Sequence, residues 1–207
     1  MKSFQESKTF QNLARAFAGE CQAGARYQFL RKMATQQEEL PYLGQMLKTL
    51  ATNEMAHART FYALLTEQNK TSYDNVVVDA GYPFPAGTLQ ELLAHAAQSE
   101  QNEALKIYPA FAQTADEEGF KDIAEVFRMT AQVEKQHHAV LQMLAKKLQQ
   151  KKLYVSATAE ERKCSLCGHT EKKKEAWKTC PLCGAVQGAV QIPQPTQQQK
   201  KKSSKEN

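Results

Sequence analysis

No stretch of this 207-residue chain approaches the roughly 20 consecutive apolar residues that a bilayer crossing needs, so a membrane is not an expected partner. The N-terminus, Met-Lys-Ser-Phe-Gln-Glu-Ser-Lys, lacks the apolar run of a secretion signal, and a cytoplasmic location is expected. Cysteine is sparse, with five in all. Four of these form the pairs Cys164/Cys167 and Cys180/Cys183, a usage that fits metal ligation in a reducing compartment better than disulfides. The fifth, Cys21, is expected to fill a helix face as a small apolar group. Net charge is also missing from most of the chain. Residues 1–153 hold 17 Lys+Arg against 17 Asp+Glu, while residues 154–207 hold 10 against 5 and carry the whole excess of +5. Clusters such as Lys172-Lys173-Lys174 and Lys200-Lys201-Lys202 could attract nucleic acid or an acidic partner. The simpler reading is a solvated turn and a disordered tail, so nucleic acid is not an expected partner.

Helix breakers are scarce in the first 150 residues, apart from a break at 69–87 that holds Gly81, Pro83, Pro85 and Gly87. What remains reads as four long helices with apolar residues three and four apart, over about 9–35, 41–68, 88–115 and 120–149. Thr88 and Glu91 form a capping box that starts the third, and Pro109 is expected to bend it. The long break suits a crossover running along a bundle.

Near the middle of each helix sits a carboxylate-bearing segment: Glu20, Glu54-Met55-Ala56-His57, Glu100-Gln101-Asn102-Glu103 and Glu134-Lys135-Gln136-His137. Antiparallel packing brings mid-helix positions to one level, and residues three apart share a face. Acidic groups are costly in a buried interior unless a cation compensates them. Bundles that hold two carboxylate-bridged metals take one Glu from each of two helices and a Glu-x-x-His from each of the other two. Glu20 and Glu100 supply the first kind, and Glu54/His57 and Glu134/His137 the second, with Glu103 left as a surplus. Hard carboxylates with a few imidazoles suit iron or manganese. His138, beside His137, is expected to face solvent.

The two cysteine pairs, 12 residues apart and each followed by glycine, have the spacing of a knuckle that holds one tetrahedral ion, iron or zinc. So small a module is expected to depend on its metal for folding.

Taken together, these motifs resemble the rubrerythrin family over residues about 5–190. The resemblance implies an all-α, ferritin-like four-helix bundle with a long crossover between helices two and three, followed by a small rubredoxin-like knuckle. The corresponding boundaries are 1–153 for the bundle, 154–190 for the rubredoxin-like four-cysteine module and 191–207 for a disordered basic tail. It further implies a diiron site bound by Glu20, Glu54, Glu100, Glu103, Glu134 and His137 when oxidised, with His57 replacing Glu103 on one iron upon reduction. Cys164, Cys167, Cys180 and Cys183 would hold a third iron. Tyr27 and Tyr108 match tyrosines beside the family's metal ligands. The implied activity is reduction of hydrogen peroxide to water, with Glu103, His57 and Tyr27 as the catalytic residues. Electrons would come from a donor such as a rubredoxin or an NAD(P)H-dependent reductase. A head-to-tail homodimer is implied, with a stretch near 156–159 flexible enough to let the knuckle reach a second subunit. The knuckle departs from the family in its basic stretch from His169 to Trp177, and the tail is not part of the pattern. Two alternatives stay open: an iron-oxidising, iron-storing or oxygen-reducing diiron protein, and a zinc-knuckle binding protein.

Overall fold

Helix signals and apolar periodicity coincide along the first 150 residues. The computed structural model describes residues 3–67 and 75–195. Ser7 caps α1 (Lys8–Gln36), its Oγ accepting from the Phe10 N–H at 3.0 Å. This helix buries Leu13, Ala16, Glu20, Ala23, Tyr27 and Leu30 along one stripe. After a short turn, α2 (Pro41–Glu67) opens on a proline and buries Leu43, Leu47, Leu50, Glu54 and Phe61. Residues 75–87 form the non-helical crossover, and the first part of the expected break, 69–74, lies outside the described residues. The capping box is formed, with Glu91 Oε2 accepting from the Thr88 N–H at 2.9 Å at the head of α3 (Leu89–Asn102).

The expected bend at Pro109 takes another form. A π turn, Glu103–Ile107, joins α3 to α4 (Tyr108–Glu117), and the Tyr108 N–H reaches back to the Glu103 carbonyl. A proline ring in a regular helix collides with the carbonyl four residues earlier, here that of Leu105. Widening the preceding turn accommodates the ring without breaking the rod. A fourth rod, α5 (Lys121–Gln149), completes the ferritin-like bundle. Among the described residues, no helix is long and apolar enough to cross a membrane.

Two apolar clusters lie one above the other in this bundle. One contains Leu30, Leu43, Leu47, Leu93, Leu141 and Leu144, and the other Leu13, Phe61, Tyr108, Ile123 and Phe127. The four buried glutamates, Glu20, Glu54, Glu100 and Glu134, belong to neither cluster but fall between their members along the same stripes. The apolar layers therefore shield a charged belt from water.

At one end of the bundle, Glu118 in the α4–α5 turn reaches the start of α1. Its carboxylate accepts from the backbone N–H groups of Lys8 (3.0 Å) and Thr9 (2.8 Å) and from the Thr9 hydroxyl (2.6 Å). These bonds satisfy otherwise unpaired helix-start donors and outweigh the slight burial to hold Glu118 below its ordinary carboxylate value. A carboxyl lowered in the folded chain stabilises it above the unfolded pKa, and the gain is lost as pH falls through the folded value. Glu118→Gln is therefore expected to cost about 1 kcal/mol in urea unfolding at pH 7, with the difference from wild type shrinking below about pH 4.

The C-terminal module is a two-stranded antiparallel sheet, β1 (Val155–Lys163) and β2 (Thr170–Glu175), carrying the cysteine loops. The stretch 156–159, expected to be flexible, is part of β1, where the register shifts between Val155 and Glu160. The buried Arg162 pins it by donating to Ser156 Oγ at 2.6 Å and to the Lys174 carbonyl at 2.8 Å. The basic stretch after His169 is β2, and its charge is matched across the strands: Lys172 pairs with Glu161, Lys173 with Glu160, and Glu171 with Arg162.

Residue 191 does not begin a loose tail. The Gln191 N–H donates to the Lys163 carbonyl at 2.8 Å, and Ile192 is buried in the same cluster as Leu43 and Leu153. The lysines at 200–202 lie outside the described residues. The module also rests on the α1–α2 turn. Glu39 adopts a left-handed conformation (φ 52°), and a Cβ at Gly188 would lie 1.9 Å from its carbonyl oxygen, so only glycine permits this approach.

Candidate metal centres

The helix spacing delivers the expected carboxylates and imidazoles to one level, where they form two overlapping sets. Around His57, Nδ1 lies 3.0 Å from Glu134 Oε1, 3.2 Å from Glu54 Oε2 and 3.4 Å from Glu20 Oε2. Around His137, Nδ1 lies 2.7 Å from Glu134 Oε2, 3.0 Å from Glu54 Oε1 and 3.8 Å from Glu100 Oε2. Each set offers four donor atoms within 4.8 Å of one another. Glu54 and Glu134 belong to both sets, giving one oxygen to each. The two imidazole rings are nearly parallel, with centroids 5.9 Å apart.

These separations are those of neighbouring ligands on a shared ion. With metal–ligand bonds of about 2.1 Å, adjacent donors stand about 3.0 Å apart at right angles and about 3.4 Å apart in a tetrahedron. Directed hydrogen bonds do not account for the arrangement. Both oxygens of Glu54 and of Glu134, Glu100 Oε2 and both imidazole Nδ1 atoms are buried and make no hydrogen bond of proper geometry. Seven buried polar atoms left so would be costly without a cation at their common centre. Carboxylate and imidazole donors shared in this way form a diiron-type carboxylate site.

The electrostatics point the same way. Burial pushes Glu20 and Glu100 well above the ordinary carboxylate value. At Glu134 burial is outweighed by His137 and His57, which draw it down to about 2, and Glu54 is lowered likewise. The carboxylates in turn overcome burial at the imidazoles, raising His57 to about 12 and His137 as well. Glu54, Glu134 and the two imidazoles thus stabilise one another's charged forms.

Two tyrosines brace it from behind. The Tyr27 hydroxyl donates to Glu100 Oε1, and that of Tyr108 to Glu20 Oε1. Burial and these carboxylates keep both phenols protonated. Asn53 was not legible in the sequence. Its amide lies 3.3 Å from His137 Nε2 and, turned to present its oxygen, would accept that N–H and leave Nδ1 free for a metal. His138, expected at the surface, is half-buried, its Nδ1 2.7 Å from the Ala97 carbonyl.

Glu103 stands apart from both ligand sets. It heads the π turn and lines a cavity instead. Burial, with the charges of Glu134 and Glu54, pushes its carboxyl up to about 8. His57 is within one ligand set, and Glu103 is within neither.

The four remaining cysteines converge on a second centre. Cys164 and Cys183 sulfurs are 3.8 Å apart, and Cys167 and Cys180 sulfurs 3.7 Å. A tetrahedral ion with metal–sulfur bonds of about 2.3 Å sets this edge at about 3.75 Å. Gly168 and Gly184 take φ of 78° and 73°, closing each loop through bonds from their N–H groups to the Cys164 and Cys180 carbonyls. Burial works to raise the Cys180 thiol, but backbone N–H groups of Cys183 and Leu182 bring it down to about 7. Cys164 and Cys180 are buried, whereas Cys167 and Cys183 are exposed.

Comparison with known proteins agrees with this geometry. The rubrerythrin family model matches residues 11–86 and 91–174. Rubrerythrin-1 of Clostridium acetobutylicum is 38% identical over 93% of this chain and 97% of its own. The rubrerythrin of Porphyromonas gingivalis is 35% identical over 90% of each. Among solved structures, a mixed-valence nigerythrin superposes with a TM-score of 0.59 at 25% identity, covering 93% of this chain and 94% of its own. A bacterioferritin of Desulfovibrio desulfuricans shares the fold, with a TM-score of 0.54 at 20% identity over 70% of this chain and 82% of its own.

Proposed function

This chain belongs to the rubrerythrin family, and we propose that it is a peroxidase reducing hydrogen peroxide to water with electrons relayed through the four-thiolate iron. The observation that carries this reading is the pair of ligand sets sharing Glu54 and Glu134, with Glu103 held outside them beside a cavity. When bound, the iron pair supplies the two electrons that divide the O–O bond, and the thiolate iron restores them.

The chain's own residues set the conditions for that chemistry. Four carboxylates, Glu20, Glu54, Glu100 and Glu134, balance two divalent ions with no buried charge left over, which favours the reduced pair. Glu54 and Glu134 fix the spacing of the two positions, while His57 and His137 each complete one. Tyr27 and Tyr108 lock the carboxylates of Glu100 and Glu20, so neither can swing toward solvent. Glu103 lines the cavity, where its burial favours the protonated carboxyl, and is placed to give a proton to a leaving oxygen. Tyr27 is the other proton source beside the site.

The knuckle's place supports electron delivery between two copies in a head-to-tail homodimer. It meets its own bundle at Glu39 and Pro41 and through Ile192. Glu54 lies 13 residues further along α2, about 20 Å at the rise of a helix. A second subunit's bundle could present its metal belt closer than that. A rubredoxin-like carrier or an NAD(P)H-dependent reductase would supply the knuckle from outside.

Metal analysis with anaerobic peroxide turnover tests the proposal. The wild type should hold about three irons per chain by its ligand sets, and Glu103→Ala should lose peroxidase rate by about 100-fold while keeping its iron. Undiminished turnover in Glu103→Ala, or turnover by wild type holding one iron or none, overturns it.

A further inference from the structure

The cavity that Glu103 lines is far larger than hydrogen peroxide needs. It has a volume of about 720 Å³ and lies between α1, the α3–α4 rod and the crossover. Water occupies about 30 Å³ in the liquid, so a two-oxygen substrate fills about a tenth of this space. Pockets of several hundred cubic ångströms with apolar walls and a few polar groups at one end are sites for small organic molecules. Its lining combines apolar side chains, among them Tyr82, Pro83 and Phe111, with polar ones, among them Arg26, His95 and Glu103.

The outer wall is already in place. Arg15 Nε donates to the Asp79 carbonyl at 2.9 Å, Gln22 Nε2 to the Pro83 carbonyl at 3.1 Å, and the Tyr82 hydroxyl to the Arg15 carbonyl at 3.0 Å. Three bonds along the α1 surface thus hold the crossover as a wall. The inner end adjoins the metal belt, since Tyr108 also lines the cavity and its hydroxyl donates to Glu20. Arg26 brings a buried Nε that has no hydrogen-bond partner among the described residues, a donor suited to a substrate oxygen.

From this juxtaposition we propose that the cavity binds small organic hydroperoxides, ROOH with an alkyl or aryl group, and that these are substrates alongside hydrogen peroxide. The inference rests on the peroxidase reading above. The apolar group lies against Tyr82, Pro83 and Phe111, and the hydroperoxide end faces Glu103 and Arg26. The O–O bond breaks with uptake of two electrons from the reduced iron pair and two protons, and ROH and water leave.

Gly19 provides the test, because a Cβ there would meet only the Tyr82 ring, at 3.6 Å, and larger groups would project into the space. Full-length protein should bind 2-phenyl-2-propanol, the unreactive product of cumene hydroperoxide, in titration calorimetry, and Gly19→Phe should weaken that binding at least tenfold. In anaerobic turnover of the iron-loaded protein, kcat/KM for cumene hydroperoxide relative to hydrogen peroxide should fall at least tenfold in the same variant. Gly19→Leu serves if the phenylalanine variant loses helicity or iron. Wild type that consumes hydrogen peroxide but neither binds the alcohol nor consumes cumene hydroperoxide overturns this inference alone. Binding indifferent to both Gly19 variants overturns it too. Iron-loaded wild type inert toward both peroxides overturns the peroxidase reading and this one with it.

Discussion

Glu134→Ala is expected to cost the chain two irons at once, leaving one per chain and abolishing peroxide turnover by at least about 1,000-fold. The size of the effect follows from the sharing of ligands. Glu134 is fully buried, and its two oxygens serve different sets, one 3.0 Å from His57 Nδ1 and the other 2.7 Å from His137 Nδ1. Truncation removes a donor from both sets and leaves three carboxylates to balance two divalent ions. Glu20→Ala makes the contrast, since Glu20 belongs only to the set around His57. That variant should retain two irons per chain, one in the bundle and one in the knuckle. Iron analysis of the two proteins, with visible absorbance to count the thiolate iron separately, checks the difference. Three irons in Glu134→Ala would show that its oxygens do not bind both ions.

Cys180→Ser should have the complementary outcome, sparing the bundle irons while stopping the electron supply. Cys180 is buried, its sulfur is 3.7 Å from that of Cys167, and two backbone N–H groups favour its thiolate. Hydroxyl oxygen is a poor substitute among soft thiolate ligands. The module has little else to hold it, because its apolar core is Ala176, Trp177 and Val190 packed on Cys164 and Cys180. Loss of the ion should therefore unfold the sheet as well as remove the visible absorbance of the thiolate iron. Steady-state turnover with an external donor should fall at least about 100-fold, whereas protein reduced beforehand by dithionite should still consume one equivalent of peroxide. Stopped-flow absorbance separates the two, and unimpaired steady-state turnover would remove the thiolate iron from the electron path.

The convergence of the buried carboxylates and imidazoles was legible in the sequence because a Glu-x-x-His unit on a helix fixes both the face and the reach of its side chains. The four-rod fold was legible for a similar reason, since apolar stripes run along each rod and the Thr88 capping box and Pro41 mark two of the helix starts. Other features have no local signature. Glu103 follows Glu100 at regular helical spacing and opens the π turn, yet it joins neither ligand set, which the spacing does not foretell. Asn53 lies one residue from a ligand and touches a histidine 84 positions away, a pairing only packing creates. The strand at 155–163 reads as flexible because it is exposed on both faces and lacks the alternation of a half-buried strand. Its single buried side chain is an arginine, the residue type least suggestive of an interior.

Ile192 changes how the chain can be divided. The thiolate module leaves the helical core just after Leu153 and re-enters it at Ile192, so it is an excursion anchored at both ends rather than an appendage. Severing the chain at residue 153 or 190 would open a hole in the bundle it was meant to isolate. A graft of this module between relatives must carry both anchors and the glycine that seats it, or the handle will turn freely in its socket.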